Sequence, residues 1–229
     1  MAKEETRKGI NRAFEFVSEQ QKALDKGTIS EADWFDNHNR YFTKAYLAAT
    51  NPRAQSGHSG DEQRWRYARE IVLEAVHKSG TFLDIGCANG HLVESLAQWL
   101  KDSGRSIEFH GLDISKELVA LAKKRLPHWQ DRFFVGNALY WTPASKYDFI
   151  RTGLEYVPVG RQRDYVKHLF KHFVAEEGRL VVGTYNEERH SHETADKLRQ
   201  WGYSLVGSFE RAKPGNADLC YKLVWIDRP

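Results

Sequence analysis

The sequence predicts an α/β protein: a seven-stranded, mostly parallel sheet with helices on both faces, an antiparallel C-terminal hairpin and an N-terminal helical cap. Three observations predict it. From Asp61 onward, short β-rich apolar runs alternate with segments of helical periodicity. The first of these runs passes straight into a turn of small residues, Gly86-Cys87-Ala88-Asn89-Gly90, and then into a helix. The last two runs flank a polar loop with no helix between them, which reads as a hairpin.

Composition sets the bounds. At 229 residues the chain suits one core with an appendage, because single cores stop growing near ~250 to 300 residues. Hydrophobic residues at 41% and charged residues at 28% are those of an ordinary globular protein. No run approaches the ~20 apolar residues that span a bilayer, so no membrane is expected. The charged stretch Met1 to Asn11 is not followed by the apolar core of a secretory signal, so the expected compartment is the cytoplasm. Cys87 and Cys220 are too few for a disulfide framework and have no metal-ligand spacing, so no metal is expected. A net charge of +3 leaves RNA open as a partner without favouring it, and says nothing of oligomeric state.

Taken in order, residues 3 to 25 read as an amphipathic helix with Phe14, Val17, Gln21 and Leu24 on one side, stopped by Gly27. Ser30 caps a second helix whose Trp34, His38, Tyr41, Phe42, Ala45 and Tyr46 form a broad aromatic face. Asn51 to Gly60 is rich in turn formers and reads as a mobile lid connector, dividing a cap at 1–60 from a main domain at 61–229. A helix carrying Trp65, Ala68, Val72, Ala75 and Val76 follows, closed by Lys78-Ser79-Gly80. Strands are expected at Thr81 to Ile85, Ile107 to Leu112, Arg132 to Val135, Tyr147 to Ile150 and Arg179 to Tyr185, with helices after the first, second and fourth. Tyr203 to Glu210 and Leu219 to Ile226 make the hairpin around Lys213-Pro214-Gly215-Asn216.

The segment from Thr81 to Leu96 carries the chemistry. A strand ends near Asp84, and Gly86 and Gly90 allow positive φ without a Cβ, while Cys87 and Ala88 keep the turn narrow enough for a large ligand to lie on the backbone. A dinucleotide fingerprint would need Gly where Ala88 and His91 stand, so NAD is the weaker reading. Acidic-x-Gly-x-small-x-Gly does fit at Asp84, Gly86, Ala88 and Gly90, and there the sequence resembles motif I of the Rossmann-like class I methyltransferases that use S-adenosyl-L-methionine (SAM).

The resemblance continues through Asp113, Asn137, the run Arg151 to Pro158 and Glu176 to Val182, covering roughly residues 61 to 229. It implies SAM as cofactor and S-adenosyl-L-homocysteine as product. It also implies that Asp113 holds the ribose hydroxyls, that Ile114 lies on adenine, and that Asn137 and Ala138 meet the adenine edge. Arg64 is the expected partner of the cofactor carboxylate, with Arg66 beside it on the same helix. The expected activity is methyl transfer to an O or N atom of a small or medium organic acceptor. RNA (rRNA or tRNA) methylation and a non-catalytic SAM-binding module are the alternatives. The first of these would need a basic surface around Arg151, Arg161 and Arg163. Neither a Pro-Pro-aromatic tetrapeptide nor a Pro-Cys pair follows the fourth strand, which argues against base methylation. Glu155, Tyr156 and His38 are candidate bases if the acceptor must lose a proton. Cys87 reads as small filler rather than a nucleophile, and Trp141 as packing.

Overall fold

The computed structural model describes residues 2–228, so the first residue of the 1–60 segment and the last of 61–229 lie outside the described residues. Fourteen elements follow in the order α1 (Ala2–Asp25), α2 (Glu31–Leu47), α3 (Glu62–Arg69), β1 (Gly80–Ile85), α4 (His91–Leu100), β2 (Ile107–Asp113), α5 (Lys116–Arg125), β3 (Phe133–Val135), β4 (Tyr147–Thr152), α6 (Gln162–His172), β5 (Val174–Glu188), α7 (Glu193–Gln200), β6 (Gly207–Lys213) and β7 (Asn216–Asp227). The seven strands make one sheet in the order β3-β2-β1-β4-β5-β7-β6. β1 to β5 pair in parallel, and β7 runs antiparallel to both β5 and β6. The expected α/β architecture is the observed one.

Alternation along the strands sends neighbouring side chains into two separate cores. On β1, Leu83 and Ile85 join the cluster that also holds Trp34 and Phe35 of α2, Tyr165 and Leu169 of α6, and Leu198 of α7. Phe82 points to the other face, among Trp65 and Ala68 of α3, Leu92 and Leu96 of α4 and Val119 of α5. On β5, Val181 divides from Leu180 and Val182 in the same way. Because strand order reverses beside β1, the loops leaving β1 and β4 part there and open a crevice at the strands' carboxyl ends.

Several boundaries differ from the sequence reading, among them the hairpin strands, which run Gly207–Lys213 and Asn216–Asp227 rather than Tyr203 to Glu210 and Leu219 to Ile226. The helix starting at Asp61 keeps α geometry only to Arg69 and tightens into a 3₁₀ turn at Glu70–Ala75. β5 begins at Val174 rather than Arg179, because Val174 already pairs with Tyr147 across the bend that contains Glu177 at φ 56°. The sequence reading placed no helix between β5 and β6; α7 lies there, concealed by six polar residues among eight, although Ala195 and Leu198 are buried.

The Asn51 to Gly60 connector, expected to be mobile, is docked. Ser56 Oγ donates to Asn89 Oδ1 at 2.6 Å, and Asn89 Nδ2 donates to the Pro52 carbonyl at 3.0 Å and to Gln55 Oε1 at 3.4 Å. Arg53 pairs with Glu62 at 2.5 Å. Gly57, at φ 78°, passes so close beneath Tyr46 that a Cβ there would overlap its hydroxyl. The turn formers serve a tight strap over the β1–α4 turn rather than a free hinge.

Asn89 is fully buried, so Asn89→Ala should remove every side-chain bond between the turn and the strap, leaving Ser56 Oγ and the Pro52 carbonyl only each other, and destabilise the fold by about 1–3 kcal/mol. Limited proteolysis should then cut within residues 51–60 faster than in the parent protein. An unchanged cleavage pattern would mean that these bonds do not hold the strap.

Candidate functional site

A cavity of about 610 Å³ occupies the crevice, within the range of roughly 300–1,000 Å³ usual for small-molecule sites. The β1–α4 turn, the end of β2 and the start of the β3 loop line one part of it, through Gly86, Ala88, Asp113 and Asn137. Trp34, His38, Phe42 and Tyr46 of α2, with Phe14 and Val17 of α1, line another. α1 and α2 are held together by Phe16 stacked on Tyr41 at 4.0 Å and by an Asn37–Gln20 hydrogen bond of 2.8 Å. The Ser30–Asp33 capping box fixes the start of α2.

Backbone geometry keeps the turn bare. Gly86 sits at φ 76°, and a Cβ there would come within 2.7 Å of the Tyr156 ring. Ala88 is also left-handed, at φ 47°, a conformation held by its N–H donating to Asp113 Oδ2 at 2.8 Å. Asp113 Oδ1 accepts from the Ser115 N–H at 2.9 Å, which leaves lone pairs on both carboxyl oxygens for a ligand. Burial pushes the Asp113 carboxyl up to about 6, against these backbone hydrogen bonds.

Beside it, Arg151 at the end of β4 is buried at 4% exposure and reaches three elements at once. Nη1 donates to Asp84 Oδ1 at 3.1 Å and to the Tyr156 hydroxyl at 3.0 Å, while Nη2 donates to the Tyr185 hydroxyl at 2.9 Å. Burial pushes the Asp84 carboxyl above its ordinary value, and Arg151 opposes that rise. On the other side of Tyr185, Arg69 lies 3.7 Å over the ring. Among the described residues Arg69 has ring contacts but no carboxylate in ion-pair range, and burial pulls its guanidinium down from the ordinary value.

The sequence-predicted residues separate into two groups. Asp84, Gly86, Cys87, Ala88, Asp113, Ile114, Asn137 and Ala138 all line the cavity, as do the candidate bases Glu155, Tyr156 and His38. Gly90 and Arg64 do not. Gly90 is the left-handed N-cap of α4, behind the turn. Arg64 packs against Gly60, whereas Arg69 from the same helix lines the cavity. Sequence reasoning chose the arginine nearest the turn in the chain, whereas the phase of α3 presents the one at its C-terminal end. Asn137 Oδ1 already accepts from the Leu139 N–H at 3.0 Å, so any ligand contact there uses its second lone pair or the amide N–H₂. Trp141 packs between Phe134 and Phe173, at 5.5 and 5.7 Å.

The three candidate bases differ in chemistry. Tyr156 accepts from Arg151, and burial pushes its hydroxyl well above the ordinary value, so it keeps its proton. Glu155 opens onto the cavity, and the protein around it raises its carboxyl above the ordinary value, offset by Arg151 and Arg69. His38 Nδ1 lies 2.8 Å from the Trp34 carbonyl, which can only accept, so Nδ1 carries the proton and Nε2 is a bare lone pair. Burial holds His38 below its ordinary value, against the hydrogen bond to the Trp34 carbonyl, and so favours the neutral ring. The Cys87 thiol is pushed well above its ordinary value by burial, and a nucleophilic role has no support in this geometry.

Removing Arg151 would strand the Asp84 carboxyl in the interior. Arg151→Ala should lower stability by about 3–5 kcal/mol in urea unfolding. The double variant with Asp84→Asn should recover part of that loss, because the orphaned charge goes with it. Equal losses in the single and double variants would show that the ion pair is not the origin of the effect.

Comparison with known proteins fits this geometry. The sequence matches no curated protein significantly. In fold, the chain resembles the 1,6-didemethyltoxoflavin-N1-methyltransferase of Burkholderia thailandensis at 15% identity and TM-score 0.66, over 87% of this chain and 91% of that one. It also resembles the magnesium protoporphyrin IX methyltransferase of Synechocystis, at 18% identity and TM-score 0.55 over 86% and 94% of the two chains. The N-methyltransferase NodS of Bradyrhizobium japonicum is similar at 19% identity and TM-score 0.57 over 74% and 98%. The family profile described as "Methyltransferase domain" matches residues 60–212, about two thirds of the sequence. With its glycine turn, its acid after β2 and its sheet order, the chain belongs to the methyltransferase-domain family and has the fold of the methyltransferases it resembles.

Proposed function

We propose that the chain binds SAM on residues 61–229 and transfers its methyl group to an oxygen or nitrogen of a small or medium organic acceptor enclosed by the cap at 1–60. The observation that carries this reading is that one cavity takes in both the Asp113 and Gly86 side and the aromatic side under α2. The residues present fit the cofactor: a turn of small residues on the cavity wall, a half-buried acid with free lone pairs, and an arginine without a carboxylate partner among the described residues.

When bound, SAM supplies a methyl group already activated on a sulfonium sulfur. The protein's task is then alignment and exclusion of water. Asp113 accepts from the ribose hydroxyls. Arg69 takes the methionine carboxylate, the role the sequence reading gave to Arg64. Ile114 and Ala138 flank the adenine, and Asn137 meets its edge. Tyr46 and the strap at Ser56 and Gly57 form part of the wall. Two of the fold relatives are named for 1,6-didemethyltoxoflavin and magnesium protoporphyrin IX, which agrees with an organic acceptor.

An RNA substrate is less consistent with the surface. Arg151 is buried in its own network, and Arg161 pairs with Glu31 at 3.6 Å, so two of the three cations required for a phosphate track are engaged. The described helices include none long and apolar enough to cross a membrane.

Calorimetric titration with S-adenosylhomocysteine tests the cofactor reading. Asp113→Ala should weaken binding at least ~10-fold, and Arg69→Met by ~10- to 100-fold, with Arg64→Met close to the parent. Affinity should hold above pH 6 and fall as the pH drops through about 6, because the ionised Asp113 is the form that accepts ribose hydroxyls. Asp113→Asn should remove that pH dependence. Parent-like affinity in the Asp113 and Arg69 variants would remove both residues from the site.

A further inference from the structure

Trp34 and His38 stand one turn apart on α2, with rings stacked 3.7 Å apart and tilted by 25°. Both line the cavity and both are buried, at 3% and 9% exposure. Trp34 Nε1 and His38 Nε2 have no hydrogen-bond partner among the described residues. Unpaired buried polar atoms are costly and uncommon in folded proteins. Here a donor and an acceptor are left unpaired on two stacked rings whose residues both line the cavity. The rings around them, Phe42 and Tyr46 of α2 and Phe14 of α1, give that end of the cavity flat apolar surfaces.

We propose that this pair reads the methyl acceptor. The acceptor is a flat aromatic or heteroaromatic molecule that offers a carbonyl or ring nitrogen to Trp34 Nε1–H and its own O–H or ring N–H, the group to be methylated, to His38 Nε2. This rests on the methyl-transfer reading above and names its substrate class. The tie from Nδ1 to the Trp34 carbonyl fixes the tautomer in which Nε2 can take a proton. In the transfer, the acceptor atom bonds to the methyl carbon, the methyl–sulfur bond breaks with its electron pair staying on sulfur, and the acceptor's proton passes to Nε2. Charge balances, because the sulfonium's positive charge ends on the imidazolium. A neutral imidazole is too weak a base for an aliphatic alcohol. It suits a phenol, an enol or a ring N–H, whose acidity rises as the new bond forms.

The test uses hydroxycoumarin, hydroxyquinoline and uracil as planar probes, with cyclohexanol and piperidine as controls, titrated into the full chain saturated with S-adenosylhomocysteine. At least one planar probe should bind at millimolar concentration or better, and the controls should not. Trp34→Phe and His38→Phe each keep a ring in the stack, the first deleting Nε1 and the second both Nδ1 and Nε2. Each should weaken that probe by ~5- to 10-fold or more and leave S-adenosylhomocysteine affinity within about 2-fold, which also shows that the variants are folded. No binding by any planar probe, equal binding by the controls, or parent-like probe affinity in both variants would overturn the assignment while leaving the cofactor reading intact. Failure of S-adenosylhomocysteine to bind the parent chain would instead remove the cofactor reading and this proposal with it.

Discussion

A guanidinium enclosed between β1, β4 and β5 has to find its partners inside the protein, and Arg151 finds them in Asp84, Tyr156 and Tyr185. Each partner belongs to a different part of the site wall. Asp84 ends the strand that feeds the glycine turn, Tyr156 fills the space beneath Gly86, and Tyr185 carries the Arg69 guanidinium on its face. A buried charge pair is a poor source of net stability, because desolvation offsets most of the attraction. Its effect here is positional. The pair fixes where the ring of Tyr156 lies, and that ring sets how close the turn can come to it.

The same economy of position governs the roof. α2 reaches the core through Trp34 and Phe35, while His38, Phe42 and Tyr46 line the cavity and Tyr41 stacks on Phe16 of α1. The strap that follows α2 is tied to Asn89, in the middle of the turn. Roof and turn therefore share a residue, so that movement of the strap must change the hydrogen bonds of the turn itself.

Much of this was legible in the sequence, for identifiable reasons. Strands covered on both faces are continuous apolar runs, and helices between them have a different period, so β1, β2 and β4 and their helices could be placed from pattern alone. The turn at Gly86 was legible because its constraint is local: small residues and positive φ in one short segment. What the sequence concealed depends on packing across the chain. Arg69 and Arg64 share one helix, and only the angle at which α3 meets the sheet decides which faces the cavity. Asn89 looked like one more turn former, and its bonds to Pro52 and Ser56 join residues far apart in sequence. The lone pair of His38 followed from no motif; it required the Trp34 carbonyl to be seen beside Nδ1. α7 escaped because a short helix covering one edge of a core needs few apolar residues.

The account stands on a cavity shaped for a SAM-type ligand, and thermal unfolding with saturating ligand tests that most directly. At ~100 times its dissociation constant a ligand adds ~2.7 kcal/mol, which for a chain of this size is a rise of about 5 to 10 °C in Tm. The account predicts that rise with SAM and with S-adenosylhomocysteine and none with NAD. A rise with NAD alone, or with none of the three, would contradict it.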